Sequence, residues 1–173
     1  LDIIKKTENN KILVIGGATR GSGTNKLWEN KSIDITSIDL VGTDNVDYIV
    51  DAHYLPFKDE TFAAVWIQAV LEHVVSPESV VKEIFRVIKN DGVVYSEIPF
   101  MQQIHMGKND FTRYTGSGHR FLFKEFKTID IGTNGGPGVS LAWSLKYFIW
   151  SLTNEKIANY LSIIPFFILR LID

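Results

Sequence analysis

The sequence contains no cysteine among its 173 residues, which excludes disulfide bonds and metal sites built on thiolates. Its histidines and carboxylates show no spacing typical of metal ligands, so no metal site is expected. Charge of neither sign predominates, with 18 basic and 20 acidic side chains and a net charge of −2. Because nucleic-acid-binding proteins have a basic excess, a nucleic-acid partner is not expected.

The sequence also lacks the marks of an exported or membrane-spanning protein. The segment Leu1–Lys11 is polar and charged and does not resemble a signal peptide. No apolar run reaches the length of about 20 residues that crosses a bilayer. A cytoplasmic location is therefore expected. Because the chain begins with leucine rather than methionine, we also expect it to have been trimmed at one or both ends.

Strand and helix patterns alternate over the first two thirds of the chain. Short apolar or β-branched runs bounded by turn residues predict buried parallel strands. Six such strands are predicted, at Lys11–Ile15, Ile33–Asp39, Val46–Val50, Phe62–Gln68, Val93–Ile98 and Phe126–Ile131.

Two helices are predicted among these strands. The shorter covers Thr24–Asn30. The longer begins after Ser76, with Pro77 at its first position and Glu78 in its first turn, as is typical of helix N-termini. Apolar side chains then recur at helical spacing until the turn Asn90–Gly92.

This alternation predicts an α/β protein with a Rossmann-like, doubly wound, mostly parallel sheet and helices on both faces. Residues 1–133 are expected to form the nucleotide-binding domain, and residues 134–173 an aromatic-rich helical segment packed on it. Helices are predicted at Val139–Leu152 and Ile157–Ile172. Either they pack on the sheet, or their aromatic side chains contact a membrane surface or a second copy of the chain.

A glycine-rich turn, Gly16–Gly23, follows the first strand. Glycine permits positive φ and close approach of a ligand, and the following helix N-terminus attracts an anion. Asp39 ends the second strand and Asp51 follows the third. Because ligands of such sheets lie beyond the carboxyl ends of the strands, the turn, both aspartates and Gln68–Leu71 should surround one crevice. A plain tight turn is the alternative for the glycine segment.

Two nucleotides compete for this crevice. The turn Gly17–Gly23 also matches that of short-chain dehydrogenases, which bind NAD. Those enzymes need a Tyr-x-x-x-Lys pair on a helix. The match here, Tyr54 to Lys58, contains Pro56 and is not helical. NAD is therefore the second candidate.

Two segments resemble the class I methyltransferases that use S-adenosylmethionine (SAM), of the kind called methyltransferase type 11. Asp51–Phe57 (DAHYLPF) resembles their D-A-x-x-L-P-F motif, and Val70–Val74 (VLEHV) resembles their V-L-E-H-V motif. Glu83 and Arg86 continue the pattern into their E-x-x-R motif. The resemblance covers residues 11–123 and implies this fold, SAM as the cofactor and methyl transfer as the reaction.

The resemblance also implies roles for individual residues. Asp39 would bind the ribose hydroxyls of SAM, and Asp51 with Ala52 would lie at its adenine. The methionine and sulfonium end would lie against the remaining predicted cofactor residues, which are Gly16, Gly17, Ala18, Gly21, Gln68 and Ala69. Val14 stands where the family has an acid, and Ala18 where a glycine is common, so methionine anchoring should differ in detail.

The segment Pro99–Thr115 resembles a subset of bacterial methyltransferases, several of which lie in cell-surface polysaccharide contexts. His105 and Asp110 are the predicted catalytic residues, because a histidine suits general-base work near neutral pH. Arg113 and Tyr114 are predicted to bind the acceptor. The alternative is that His105 and Asp110 only stabilise a lid loop. This subset ends with another strand, which is expected to be absent or truncated here.

Three functions are left open by the sequence. The first is a SAM-dependent methyltransferase acting on a small-molecule or glycan-like acceptor. The second is an NAD-linked oxidoreductase, which the missing Tyr/Lys pair disfavours. The third is a non-catalytic SAM-binding protein, which Val14, the altered glycine turn and the aromatic C-terminal segment favour. His73 and His119 are expected to have structural roles.

Overall fold

The computed structural model describes residues 11–21 and 23–171, without the side chain of Arg170. Ser22 of the predicted glycine turn lies outside the described residues. The chain divides into two compact units. The first contains the described residues up to Pro99 together with Lys108–Glu125, and the second contains Phe100–Gly107 together with the residues from Phe126 onward. The domain division at residue 133 stays a prediction.

The first unit is built on a five-stranded sheet in which every pair of neighbours is parallel. The strands are β1 (Lys11–Ile15), β2 (Asp34–Asp39), β3 (Tyr48–Ile49), β4 (Phe62–Gln68) and β5 (Ile88–Glu97). Their order is β3-β2-β1-β4-β5. The predicted Rossmann-like α/β class is therefore confirmed.

Five α-helices accompany the sheet in the described residues. The first unit contains α1 (Asn25–Trp28), α2 (Pro77–Val87) and α3 (Gly116–Leu122), and the second contains α4 (Pro137–Leu152) and α5 (Glu155–Arg170). Short 3₁₀ turns lie at Leu71–His73 and Gly107–Asn109. No described helix is both long and apolar enough to cross a bilayer.

The strand order places α1 and α2 on opposite faces of the sheet. From β1 the chain passes through α1 to β2 on one side, and from β4 it passes through α2 to β5 on the other side. Right-handed crossovers in opposite directions put their helices on opposite faces. Leu27 of α1 accordingly packs against Ile12, Val14 and Ala64, and α2 buries its own apolar stripe, which includes Ile84.

The predicted strand at Phe126–Ile131 is wrong. These residues have no regular structure, and the side chains of Ile129 and Ile131 are exposed. They belong to the second unit, whereas the sheet belongs to the first. An alternating apolar pattern forms a strand only when a neighbouring strand accepts and donates its ladder hydrogen bonds. No strand follows Glu97 in the part of the chain that the structure describes.

The predicted turn at Asn90–Gly92 is part of β5. Helix α2 ends at Val87 and β5 begins at Ile88. Phe62 of β4 pairs with Ile88, and the next register partner of β4 pairs with Val93, so the intervening residues form an irregularity in the strand. A Cβ at Gly92 would lie 2.4 Å from Cγ1 of Ile88. The turn residues therefore bend the strand without ending it.

An ion pair on α2 holds the segment between β3 and β4. The guanidinium of Arg86 donates to the carbonyl oxygens of Leu55 and Phe57, at 2.9 and 2.7 Å, and to the Asp59 carboxylate at 2.8 Å. Glu83 accepts from Arg86 at 2.7 and 2.8 Å, and its Oε2 accepts from the backbone N–H of Leu55 at 2.8 Å. These hydrogen bonds from Arg86 hold the pKa of Glu83 below its usual value, although burial opposes the shift.

Replacing Arg86 should lower the free energy of unfolding. Arg86→Met leaves the half-buried Glu83 and two backbone carbonyls without their charged donor, and we expect a loss of about 1–3 kcal/mol. Urea denaturation measures this loss. Lys82→Met, which removes a charge from the exposed face of the same helix, is the control and should change the stability little. Equal stabilities of the two variants would contradict the role of this ion pair.

Glu83 should also contribute a pH-dependent part of the stability. Because its pKa is lowered in the folded state, its contribution is present above the usual value of 4.5 and is lost as the pH falls through the folded value. The stability difference between wild type and Glu83→Gln should therefore shrink below pH 4.5. Urea denaturation across this range is the measurement, with the exposed Glu29→Gln as the control. A difference that stays constant with pH would contradict the assignment.

Candidate functional site

The carboxyl ends of all the strands lie at one edge of the sheet because the strands are parallel. From β1 the chain connects to β2 on one side of it, and from β4 it connects to β5 on the opposite side. The direction in which the chain crosses the sheet therefore reverses between the neighbouring strands β1 and β4. Ligands of doubly wound sheets bind in the crevice outside such a reversal. Ile15, Asp39 and Gln68 end the three central strands at this edge.

Asp39 holds the glycine turn against the end of β2. Its Oδ2 accepts the N–H of Ala18 and its Oδ1 accepts the N–H of Val41, both at 3.0 Å. The N–H groups of Gly16 and Gly17 donate to the carbonyl oxygen of Ile38, at 2.9 and 3.0 Å. A carboxylate has about four lone-pair sites, so the partly exposed Asp39 keeps acceptor capacity for a ligand.

Three glycines allow the turn to lie against β2 and β4. Gly16 has φ +85°, and a Cβ there would lie 2.2 Å from Cγ2 of Val70. A Cβ at Gly17 would lie 1.9 Å from Oγ of Ser37, and one at Gly21 would lie 2.2 Å from Oε1 of Gln68. At Gly16 and Gly17 a side chain would collide with Val70 and Ser37, whereas at Gly21 the obstacle is the flexible end of Gln68, which can move.

A chain of polar contacts links the ends of β4 and β5. Glu97 Oε2 accepts from the Nε2 of Gln68 at 3.0 Å and from the Tyr95 hydroxyl at 2.9 Å. Trp66 donates its indole N–H to Gln68 at 3.4 Å and stacks on Tyr95, with ring centroids 3.9 Å apart. Ala69, with φ +53°, donates its N–H to the Glu97 carbonyl at 3.0 Å. Positive φ is unusual for alanine and is concentrated at functional sites.

Glu97 and Tyr95 were not among the residues predicted from sequence. The signal was present, because Tyr95 and Glu97 are two residues apart at the end of a strand and so lie on one face, and the carboxyl end of that strand lies at the functional edge. Their relation to Gln68 depends on the register of β5 against β4, which places Glu97 opposite Gln68.

The crevice between the turn and β4 is narrow. A cavity of about 20 Å³ lies there, with walls from β1, the glycine turn, α1 and β4. Its lining includes Gly16, Gly21, Trp28, Trp66 and Gln68. The Gln68 side chain closes the crevice, since it lies against Gly21.

Asp51 follows the third strand by two residues and lies next to this edge. Its Oδ1 accepts the backbone N–H and the Nδ1–H of His53, at 2.9 and 2.6 Å. The N–H of Ser76 donates to Nε2 of His53 at 3.2 Å, so that nitrogen is the acceptor and Nδ1 carries the proton. The backbone hydrogen bond from His53 lowers the pKa of Asp51. Val50, which precedes Asp51, donates its N–H to the Asp39 carbonyl at 2.9 Å, and the side chain of Ala52 is buried.

The Val70–Val74 segment supports the chain around Asp110. The carbonyl of the buried Glu72 accepts the N–H of Phe111 at 2.8 Å. His73 donates its Nδ1–H to the carbonyl of Asn109 at 2.8 Å. The His73 contact is consistent with the structural role expected from sequence.

Asp110 and Arg113 form a bidentate ion pair within the first unit. The two guanidinium nitrogens of Arg113 donate to both carboxylate oxygens of Asp110, whose side chain is buried. Asp110 therefore orients Arg113, and its predicted catalytic role stays a prediction. Burial raises the pKa of the nearby Tyr114 hydroxyl, and the charge of Glu78 adds to that shift.

Two histidines remain from the sequence analysis. His119 is half-buried and lies 2.8 Å from Oγ of Ser96 in β5, and burial lowers its pKa. His105 belongs to the second unit. There its Nδ1 lies 3.1 Å from the carbonyl oxygen of Gln103. A carbonyl oxygen can only accept a hydrogen bond, so Nδ1 carries the proton and Nε2 has the lone pair that can accept one. Its catalytic role stays a prediction.

Residues 17–96 match the family model described as a methyltransferase domain. The curated proteins contain no significant match to the chain. A putative sarcosine dimethylglycine methyltransferase from Galdieria sulphuraria has a similar structure, with 17% identity and a TM-score of 0.60, over 88% of this chain and 67% of that one. A protein from Pyrococcus horikoshii has 18% identity and a TM-score of 0.58, over 78% and 81% of the two chains.

The [4+2]-cyclase SpnF is also similar, with 20% identity and a TM-score of 0.56 over 72% of this chain. The present chain spans only about half of that protein's length, 55%. At these identities the structural similarity shows the fold, and the family-model match adds the methyltransferase motifs. The sheet order and these solved structures show that the chain has a Rossmann-like methyltransferase fold, and residues 17–96 within it resemble the methyltransferase-domain family.

Proposed function

We propose that this chain binds SAM at the carboxyl edge of its sheet and transfers the methyl group to a small-molecule acceptor. The main observation is the position of Asp39, whose carboxylate joins the glycine turn to the end of β2 beside the reversal of strand order. The family match over residues 17–96 supports the choice of SAM. The similarity to a cyclase shows that the fold by itself does not decide the reaction.

The donor and acceptor chemistry of the edge suits SAM. Its ribose hydroxyls and adenine amino group are hydrogen-bond donors, and Asp39 and Asp51 offer carboxylate oxygens that can accept them. Asp51 uses Oδ1 for His53, and its half-exposed side chain leaves Oδ2 towards solvent. Gly16, Gly17 and Ala18 would lie along the methionine end of the cofactor.

Gln68 would have to move for the cofactor to enter the crevice fully. A cavity of about 20 Å³ holds about one water molecule, far less than a methionine chain occupies. We infer that the Gln68 side chain turns away from Gly21 when the cofactor enters. Its hydrogen bond with Glu97 is either kept in the new position or replaced by one to another acceptor. Because this side chain ends β4, its movement would leave the backbone of the sheet unchanged.

Methyl transfer asks the protein mainly to align the acceptor and to take up a proton. When bound, SAM would supply a methyl group from its sulfonium, and the sulfur would be left as a neutral thioether. Glu97 accepts a hydrogen bond from Gln68, which lines the crevice, and its carboxylate is a candidate proton acceptor. His105 is the candidate predicted from sequence, through its Nε2. Arg113, oriented by Asp110, and Tyr114 are proposed to bind the acceptor, whose glycan-like nature is also a proposal.

Cofactor binding can be tested by isothermal titration calorimetry. We expect SAM and S-adenosylhomocysteine to bind and NAD not to bind. Asp39→Asn removes one carboxylate oxygen from the ribose position and should weaken SAM binding about 10- to 100-fold, as for the loss of a charged hydrogen bond. Asp34→Asn, at the opposite end of the same strand, is the control and should bind like wild type.

Two results of this titration would overturn the proposal. One is NAD binding without SAM binding, which would favour the oxidoreductase. The other is an unchanged SAM affinity in a folded Asp39→Asn variant, which would remove Asp39 from the cofactor site. Thermal unfolding of both variants checks their folding.

The proton acceptor can be identified by kinetics. Labelled SAM is first incubated with a panel of hydroxyl and amine acceptors to find a substrate. Glu97→Gln and His105→Ala are then compared, and the variant that lacks the proton acceptor should lose about 100-fold in kcat. Its affinity for SAM should stay unchanged, and Glu29→Gln serves as the control. Full activity of both variants would exclude both residues as the base.

A further inference from the structure

The helical hairpin α4–α5 in the second unit packs through small residues. Each helix has 16 residues, and the two are joined at Thr153 and Asn154. The side chains or Cα atoms buried in this hairpin belong to Gly138 and Ala142 of α4 and to Ala158 and Ser162 of α5. Each pair is spaced by four residues and therefore lies on one face of its helix.

Large apolar side chains lie on the outer faces of the same helices. On α5, Tyr160, Ile164 and Phe167 are 76%, 70% and 65% exposed, and Leu171, which follows the helix, is 87% exposed. At 100° per residue they lie opposite Ala158 and Ser162. A helix of a water-soluble domain has the reverse arrangement, with its large apolar residues inside and its polar residues outside.

Helix α4 is apolar on both flanks of its packed face. Leu141, Phe148 and Leu152 form one flank, and each is more than half exposed. Trp143 and Tyr147 belong to the other flank, with ring centroids 6.1 Å apart. Apolar side chains therefore lie on α4 on both sides of its contact with α5.

This arrangement is that of helices packed in lipid, where small residues form the helix–helix contact and large apolar residues face outward. The aromatic flank adds side chains that suit the headgroup region. Trp143, Tyr147 and Trp150 recur at helical spacing, and the ammonium of Lys146 lies 5.7 Å from the Trp143 ring centroid. Amphipathic aromatic rings and a flexible lysine are typical of the membrane–water boundary.

A cavity of about 340 Å³ opens between the two helices. Its walls are mainly apolar, from residues such as Ile163 and Phe166 and from Phe167, which borders both the cavity and the outer face, while Lys146 and Asn159 supply polar atoms. A lipid has the same combination of an apolar chain and a polar, phosphate-bearing headgroup. The lysine gives charge complementarity to that phosphate, and no acidic residue lines the cavity among the described residues.

We propose that the α4–α5 hairpin binds the surface of a phospholipid bilayer, with its outer face among the acyl chains and its aromatic flank and Lys146 at the headgroups. This proposal does not depend on methyl transfer. It concerns the second unit alone, whereas the proposed SAM site belongs to the first.

Flotation of the full chain with vesicles tests the proposal. We expect the protein to float with vesicles of phosphatidylcholine and phosphatidylglycerol. Ile164→Ser combined with Phe167→Ser removes two side chains from the outer face and should weaken partitioning more than tenfold, on the order expected from the apolar area lost. Val75→Ser combined with Phe121→Ser removes exposed apolar side chains of the first unit and is the matched control, which should float like wild type.

Lys146→Ala separates the headgroup contact from the apolar one. It should weaken binding to vesicles with phosphatidylglycerol about fivefold, the effect expected of one basic residue at an anionic surface. Binding to phosphatidylcholine alone should change less. Quenching of tryptophan fluorescence by lipids with brominated acyl chains tests the wild-type protein directly, so the proposal remains testable if a variant fails to fold.

Other outcomes would overturn the proposal. Absence of flotation together with concentration-dependent association in analytical ultracentrifugation would assign the outer face to a second copy of the chain. Equal flotation of the Ile164→Ser, Phe167→Ser variant and its control would remove the hairpin from any lipid contact. SAM titration of each variant without vesicles distinguishes these outcomes from a failure of the proposed function.

Discussion

The parallel direction of all five strands is the constraint on which the candidate site depends. Parallel strands bring every carboxyl end to one edge of the sheet. Between β1 and β4 the connections that leave this edge run in opposite directions, which opens a crevice there. The glycine turn occupies this position, and the Asp39 carboxylate ties it to β2 through the N–H groups of Ala18 and Val41. The same carboxylate is thus a structural anchor and the proposed ribose ligand, so the proposed cofactor site would be partly formed before any ligand binds.

The motifs that resemble the family have structural roles as well as proposed functional ones. Arg86 and Glu83 hold the backbone of Leu55 and Phe57, which fixes the path of the chain beyond Asp51. The Val70–Val74 segment in turn supports the chain around Asp110. These motif residues are therefore required by the fold, because they hold the segments that follow the strands, even where their side chains do not face the crevice.

Most of the sheet could be predicted from the chain because a buried parallel strand has a local apolar signature. The bounds of β1 and β4 were predicted to the residue, and β2 to within one residue at Asp34. The errors arose where local pattern and tertiary pairing disagree. Phe126–Ile131 alternates like a strand but lacks a described neighbour, and Asn90–Gly92 resembles a helix end but is absorbed into β5 by its pairing with β4. Glu97 was missed because its relation to Gln68 depends on strand register, which is a long-range property.

Local chemistry alone determined the class of the fold, the glycine turn, and the acids that follow β2 and β3, since each of these depends on neighbours in the sequence. Only the tertiary structure decided how these parts are used. It showed that Gln68 closes the crevice against Gly21, that Asp110 is paired with Arg113, and that the C-terminal hairpin packs through small residues with its large ones outside. These facts depend on which side chains meet across long stretches of chain, and packing rather than local propensity selects those contacts.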